Sequence, residues 1–430
     1  MDAATAWAEA MKFENRPNPY PYFAELRRTP VAKVAEATYV VTGYHELLAL
    51  AHDPRISSDI SRSPAGFGPN KPEPEPGSEH MKAYGRDASI IVSDPPDHDR
   101  ARRQVMRHFG PPHSPDLIPG MEPFVVALAN QLLDKALDKA LDKAKARGKN
   151  RLDIVEDFAY PIPVEVICKI LGVPVDDEAM FHAWIFDFMM GTDLGPEGTT
   201  EQGRSLAEKG RASTAALLDY LGDLVQRYAE TPGEGLLSRL LHDDGPDGPM
   251  SVAETTSNAM LLLVAGHDST VNTITNCVMT LLRNQGSWDL LRQRPELIPR
   301  AIEEVQRLQS AVQFFPSRSA TADIEVGGTV IPAGAAVHLI YAAANRDPRR
   351  FDNPDRFDPL RKDNEHFGWG SGIHTCMGGP LARLEVNLAL EILLRRVESP
   401  TLVVDPPPYR HNQVFRGPRH LWVDYVTIAG

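Results

Sequence analysis

The stretch from Ser251 to Asn284 sets the scale of any fold this chain can adopt. Ser251 and Glu254 stand in the S-x-x-E spacing of a capping box, in which serine and glutamate each satisfy a free backbone N–H at a helix start. A helical pattern then runs to about Asn284, with Gly286 just beyond as a stop signal. That is over thirty residues, or roughly 50 Å at 1.5 Å per residue. It is the longest element of the chain.

Helical patterning dominates elsewhere too, punctuated by 37 prolines. A strand-like "VAKVAEATYVVTGY" lies within the first 60 residues, and 60–80 read as a proline- and glycine-rich loop of the kind that is usually functional or mobile. "DHDRARRQVMRHF" reads as a basic helix. The ALDK repeat over 136–149 has a four-residue period, close to the helical 3.6, and reads as a solvated helix with spaced Asp and Lys. Residues 323–338 read as strand, turn, strand, and a last helix is expected from near Gly379 to near Val397. No shift of composition marks a linker, so one domain is expected, mainly α with small β-sheets.

Composition narrows the function. A net charge of -13 argues against nucleic-acid binding, which rests on basic contacts to phosphate. The three cysteines, Cys168, Cys277 and Cys376, are far apart, so neither a disulfide framework nor a Cys-x-x-Cys zinc site is expected. With no basic start followed by an apolar run, and no apolar window near the ~20 residues of a membrane helix, the expected location is cytoplasmic.

Three segments carry polar groups where a structural role alone is costly. In "LLLVAGHDSTVN" the acid Asp268 and the alcohols Ser269 and Thr270 interrupt an apolar helix. A buried acid must be paired, exposed or useful; here a helix lining a watery crevice and a catalytic segment fit equally. Glu304 and Arg307 share a helical face at i, i+3, and His98 and Arg102 at i, i+4, with Arg103 and Arg107 on an adjacent face. In "WGSGIHTCMGG", Gly370 and Gly372 allow positive φ and close approach to a flat partner. Gly378 and Gly379 open a helix whose free N–H groups favour an anion such as a thiolate. A lone thiolate is a poor zinc site but a possible haem ligand, and a buried cysteine in a glycine turn is the competing reading.

Together these segments resemble the cytochrome P450 family. "WGSGIHTCMGG" is similar to its cysteine-ligand loop, with Trp369 where Phe is usual, and "AGHDST" to its oxygen-activating helix motif. "EVQR" matches its Glu-x-x-Arg pair, and "FDNPDRF" looks like the segment whose Arg356 would complete a triad with Glu304 and Arg307. "SDPPDHDRARR" and "VGGTVIPAGAAV" follow the soluble bacterial branch, so the resemblance spans the chain. It implies that fold, with a long central helix over a haem b. It implies Cys376 as the axial thiolate, and His98, Arg102, Arg318 and His374 as partners of the propionates. Glu304 and Arg307 become structural. Asp268 and the following alcohol become a proton relay, with Ser269 standing where Thr is usual and Thr270 next.

The activity so implied is a monooxygenase that inserts one oxygen atom of O2 into an organic substrate. No flavin or iron–sulfur module follows, so electrons are expected from a separate ferredoxin and its reductase, docking on the basic face of Arg103 and Arg107. By family position Val264, Ala265, Phe314, Phe415, Ile90 and Ile91 would line a pocket for a mainly apolar molecule. A peroxide-driven enzyme would share the fold but typically lacks the acid–alcohol pair. A haem sensor or carrier would need no relay at all.

Overall fold

The computed structural model describes residues 1–59, 62, 89–144, 150–192, 198–315 and 318–429. The loop expected over 60–80, Arg62 apart, and the end of the ALDK repeat lie outside the described residues.

The long helix forms as its caps require. It spans Val252–Arg283, 32 residues, with Ser251 Oγ accepting the Glu254 N–H and the Glu254 side chain returning to Ser251 N–H. Almost every residue from Thr255 to Leu281 is buried. Its apolar positions Val271, Ile274 and Val278 join a large cluster with Phe158 and with Ile162 and Ile167 of the Pro161–Leu171 helix. Each such side chain contributes roughly 1.5–3 kcal/mol when fully buried, so the helix is the spine of the α part.

Helices Glu178–Gly191 and Glu201–Glu230 cross over one another where Gly191 meets Gly210. A Cβ on Gly191 would lie 2.4 Å from the Leu206 carbonyl oxygen, so the crossing depends on a hydrogen at that position. The helix Glu122–Ala144 carries the start of the ALDK repeat, and buries Ala136 rather than leaving it wholly solvated.

The β part is small. The strand-like segment is two strands, Val31–Ala35 and Thr38–Val41, which form a hairpin extended by Ala336–Leu339, Ser319–Ala320 and Ile56–Ser57 into a five-stranded sheet. Thr38–Val41 and Ala336–Leu339 run parallel, with Val40 opposite His338. Strands Ile324–Val326 and Thr329–Ile331 form a separate hairpin, whose turn places Gly327 at φ +57° and Gly328 at φ +75°. Two positive φ values in succession are what a tight hairpin needs and what paired glycines allow.

The final helix runs Gly379–Arg396 and packs against the long helix, the Ile298–Leu308 helix and Glu122–Ala144. Glu385 lies buried on it, and its Oε2 has no hydrogen-bond partner among the described residues. Burial pushes its carboxyl from the ordinary 4.5 up to about 8. The folded state therefore holds this proton more tightly than the unfolded chain does. The contribution of Glu385 to stability is fully present below about 4.5 and is lost as pH rises to about 8. Glu385→Gln should remove that slope, up to about 1.4 kcal/mol per pH unit. Its melting temperature should gain on the wild type steadily across this window. Parallel melting profiles for the two proteins would refute the assignment.

Candidate functional site

The long helix has one open stripe. Between buried neighbours, Ala265 is exposed, and Leu261, Val264, Gly266 and Ser269 are half-buried. Positions 261, 265 and 269 are successive i, i+4 steps along one face, so this face borders a crevice. Ser269 Oγ lies on it, donating to the Ala265 carbonyl at 2.7 Å. Thr270 is buried. His267 faces another way, edge-on to Tyr160 with ring centroids 4.7 Å apart, and burial lowers it to about 3, a neutral imidazole.

Asp268 is 0% exposed and fully engaged. Arg410 binds its Oδ1 and Asn272 Nδ2 donates to its Oδ2 at 2.9 Å. The question of how a buried acid is tolerated in this helix has a definite answer: it is paired. Its partner comes from the C-terminal segment, and no local sequence signal pointed to it.

Cys376 sits at the head of the Gly379–Arg396 helix. Its thiol is accessible, yet protein closes round it closely enough that burial raises the thiol above its ordinary value. Opposing that rise are the Gly378 N–H, the Arg383 and Arg102 guanidiniums and the Gly379 N–H, all of which favour the thiolate. The Cys376 N–H donates to the Trp369 carbonyl at 2.8 Å, closing the loop. Gly370 and Gly372 do adopt positive φ, +72° and +67°. At Gly372, however, the close neighbour is protein: a Cβ would lie 2.0 Å from the Ala51 carbonyl oxygen. Gly378 is the N-cap of the Gly379–Arg396 helix, at an unstrained φ of -80°, and a Cβ on it would sit 3.9 Å from the Cys376 sulfur.

The four expected anion partners converge. His98 is buried and stands edge-on to His374, with ring centroids 4.6 Å apart. Arg102 donates to the Thr375 carbonyl at 2.8 Å, and buried Arg318 lies over the Phe315 ring. Burial, then the charges of Arg318, His98 and Arg102, press His374 down to about 2. His374 Nε2 bonds Ser58 Oγ at 2.7 Å, whereas its Nδ1 and the Nε2 of His98 are buried with no partner among the described residues. Unsatisfied buried donors beside two arginines fit an anionic ligand. A flat iron-bearing group with two carboxylates suits this donor set and the accessible thiol together.

Two expectations need correcting. Glu304 and Arg307, both 0% exposed and doubly hydrogen-bonded at 2.8 Å, do not take Arg356 as the third member of their triad. Their third member is Arg361, whose Nε reaches Glu304 Oε2 at 3.0 Å. Arg356 is exposed, and only its carbonyl enters the network, accepting from Arg307 at 3.3 Å. Second, Arg103 and Arg107 do not form an open basic face. Arg103 is held by Asp247 at 2.7 and 2.9 Å, and Arg107 by Asp243 and Asp244 at 3.1 Å each. The acidic 243–247 segment neutralises that helix.

Among the expected pocket residues, Val264, Ala265, Ile91 and Phe415 are open or half-open. Ile90 is buried in the core, and Phe314 is buried between Trp7 and His338. A cavity of about 490 Å³ at the C-terminal end of the long helix is lined by none of the expected site residues. Its Arg283 and Arg346 are paired with Asp405 and Asp355.

Comparison with known proteins agrees with this geometry. Residues 287–421 match the family model Cytochrome P450. Over 94% of this chain and 95% of the relative's length, the sequence is 33% identical to 6-deoxyerythronolide B hydroxylase of Saccharopolyspora erythraea. The chain belongs to the cytochrome P450 family. Vitamin D(3) 25-hydroxylase of Pseudonocardia autotrophica is 35% identical over 93% of this chain and 92% of its own length. The crystal structure of ligand-free CYP164A2 from Mycobacterium smegmatis superposes with a TM-score of 0.82 at 31% identity, covering 98% of this chain and 100% of that one. This cytochrome P450 is therefore a monooxygenase with a haem-thiolate cofactor, of the bacterial type.

Removing one member of a buried ion pair costs about 3–5 kcal/mol. Glu304→Ala should accordingly lower the melting temperature sharply, and Arg361→Ala should cost more than Arg356→Ala. Equal losses for the two arginine variants would return Arg356 to the triad.

Proposed function

We propose that this cytochrome P450 is a single haem b domain over residues 1–430 that hydroxylates a mainly apolar organic molecule in the cytoplasm. Its electrons come from a separate ferredoxin and ferredoxin reductase. The observation that carries the reading is the pairing of an accessible, N–H-cradled thiol at Cys376 with a buried cluster of anion partners. Cys376 would hold the iron through its sulfur, and His98, Arg102, Arg318 and His374 would hold the two propionates. Gly370, Gly372 and Gly378 shape the loop between them. When bound, the haem supplies oxygen activation and one-electron chemistry.

The chain's own part is to position, to exclude water and to handle protons. Ser269 Oγ holds its proton on the crevice wall, which favours it over buried Thr270 as the relay alcohol. Without a β-methyl its rotamer is less restricted than threonine's. Both oxygens of Asp268 are engaged, by Arg410 and Asn272. Any proton it passes toward Ser269 would travel by a remaining lone pair or after one of these contacts loosens. Val264, Ala265, Ile91 and Phe415 give the crevice an apolar wall, and Ile90 and Phe314 support it from behind. The named substrates of relatives also support an apolar molecule, vitamin D(3) among them, as does a neighbour solved with testosterone, CYP109E1 of Bacillus megaterium. No helix among the described residues is long and apolar enough to cross a membrane. Because Asp243, Asp244 and Asp247 already pair with Arg103 and Arg107, the ferredoxin is not assigned to that face.

The test is the reduced carbon monoxide spectrum of the holoprotein. Wild type should give the thiolate type and Cys376→His the imidazole type; an unchanged spectrum in the variant would remove Cys376 from the iron. For the relay, product formed per NADH consumed should drop in Ser269→Ala, with hydrogen peroxide rising, and Asp268→Asn should slow turnover about 10²-fold or more. Uncoupling by Thr270→Ala but not by Ser269→Ala would transfer the role to Thr270.

A further inference from the structure

Glu303 and Glu304 are neighbours on the Ile298–Leu308 helix, but they look in different directions. Glu304 turns inward to Arg307 and Arg361. Glu303 turns to the cysteine loop and gathers three donors from both sides of Cys376. His366 Nε2 lies 3.1 Å from Oε2, Trp369 Nε1 donates to Oε2 at 2.9 Å, and Arg383 Nε donates to Oε1 at 2.7 Å. His366 Nδ1 accepts the Gly368 N–H at 3.0 Å, so its proton is on Nε2 and that ring too is a donor to Glu303. Burial alone would raise the Glu303 carboxyl, yet these bonds outweigh it and hold it at about 2, so it is charged throughout the working range.

Trp369 is clamped twice. Glu303 fixes its edge, and the Arg383 guanidinium lies over its face, 4.4 Å from the ring centroid. Its carbonyl takes the Cys376 N–H. A phenylalanine at this position has no N–H and could not make the bond to Glu303. Arg383 is also among the charges that favour the Cys376 thiolate. The carboxylate therefore touches, through one partner, the geometry of the cysteine loop and, through another, the positive charge beside the sulfur.

We propose that Glu303 is a positioning residue that, through Trp369 and Arg383, fixes the cysteine loop and sets the reduction potential of the iron. The proposal rests on the reading of Cys376 as the iron ligand. Glu303⁻ offsets Arg383⁺. Without that offset the sulfur sits in a more positive field, donates less to the iron, and the reduced form gains. Trp369 Nε1–H keeps the carboxylate in register with the loop, and its loss frees the backbone group that holds the Cys376 N–H.

The experiment measures the midpoint potential and the lifetime of the thiolate-type carbon monoxide spectrum in holoprotein of wild type, Glu303→Gln and Trp369→Phe. Glu303→Gln can keep an oxygen acceptor for Trp369 while it removes the charge and the acceptor for Arg383, so its potential should shift upward. Trp369→Phe keeps an aromatic ring at the position but removes the N–H together with the pyrrole half of the indole, so its thiolate-type spectrum should decay about tenfold faster or more, the loss expected for a hydrogen bond to a charged group. The double variant should shift less than the sum of the two. Full haem content with wild-type potential and wild-type decay in both single variants would overturn the proposal and leave the ligand reading intact. A wild type lacking the thiolate-type spectrum would instead overturn the ligand reading and the proposal with it.

Discussion

The buried ion pair of Glu304 and Arg307 is the contact from which the cysteine loop hangs. Two unpaired charges in that position would be untenable, and both are fully used. Arg307 donates to the carbonyls of Asn345, Pro354 and Arg356, while Glu304 takes the Asp358 N–H and Arg361. Asn345 carries the order onward: its side chain donates to Ser310 Oγ at 2.9 Å and accepts the Phe367 N–H at 2.7 Å. Phe367 opens the loop that ends at Cys376. A chain of hydrogen bonds thus runs from one buried pair to the segment that presents the thiol. Such networks fix geometry only while every member is satisfied.

Around that fixed loop the molecule assembles a crevice from elements distant in sequence. The long helix contributes an open stripe at Ala265 and Ser269, the Asp97–Phe109 helix contributes His98 and Arg102, and the sheet side contributes Arg318. The polar groups that line it follow two rules. Those engaged with protein, such as Asp268 with Arg410 and Asn272, are held in place. Those left without a partner among the described residues, such as His98 Nε2 and His374 Nδ1, converge where an anion is wanted. The same contrast separates Glu303 from Glu304, adjacent acids that serve loop position and fold stability respectively.

Much of this was legible in the sequence because it is local. The capping box at Ser251, the paired turn at Gly327 and Gly328, and the positive φ of Gly370 and Gly372 are dictated by neighbours a few residues away. The motif residues were legible as well, since each motif is a short segment with fixed spacing. What was missed is long-range. Arg410 is 142 residues from Asp268, Arg361 is 57 from Glu304, and Asp247 is 144 from Arg103. No periodicity reports a contact at such separation. Arg361 left a faint trace as a second arginine after the "FDNPDRF" segment, and Glu303 left one in Trp369, whose N–H needs an acceptor when it is packed inside. The pairing of Arg103 and Arg107 could have been suspected from the acidic run Asp243, Asp244 and Asp247. That run lies on a separate loop, and no spacing along the helix reports that the loop covers it.

All of this turns on one sulfur atom. The most direct measurement is iron K-edge X-ray absorption on the holoprotein, with Cys168→Ser/Cys277→Ser and Cys376→Ser variants beside the wild type. Cys168 and Cys277 are buried, and burial pushes the Cys277 thiol up and away from the thiolate form. One sulfur scatterer should therefore appear in wild type, persist in the double variant and vanish in Cys376→Ser. A shell of nitrogen and oxygen alone in the wild type, or a sulfur that survives Cys376→Ser, would contradict the account.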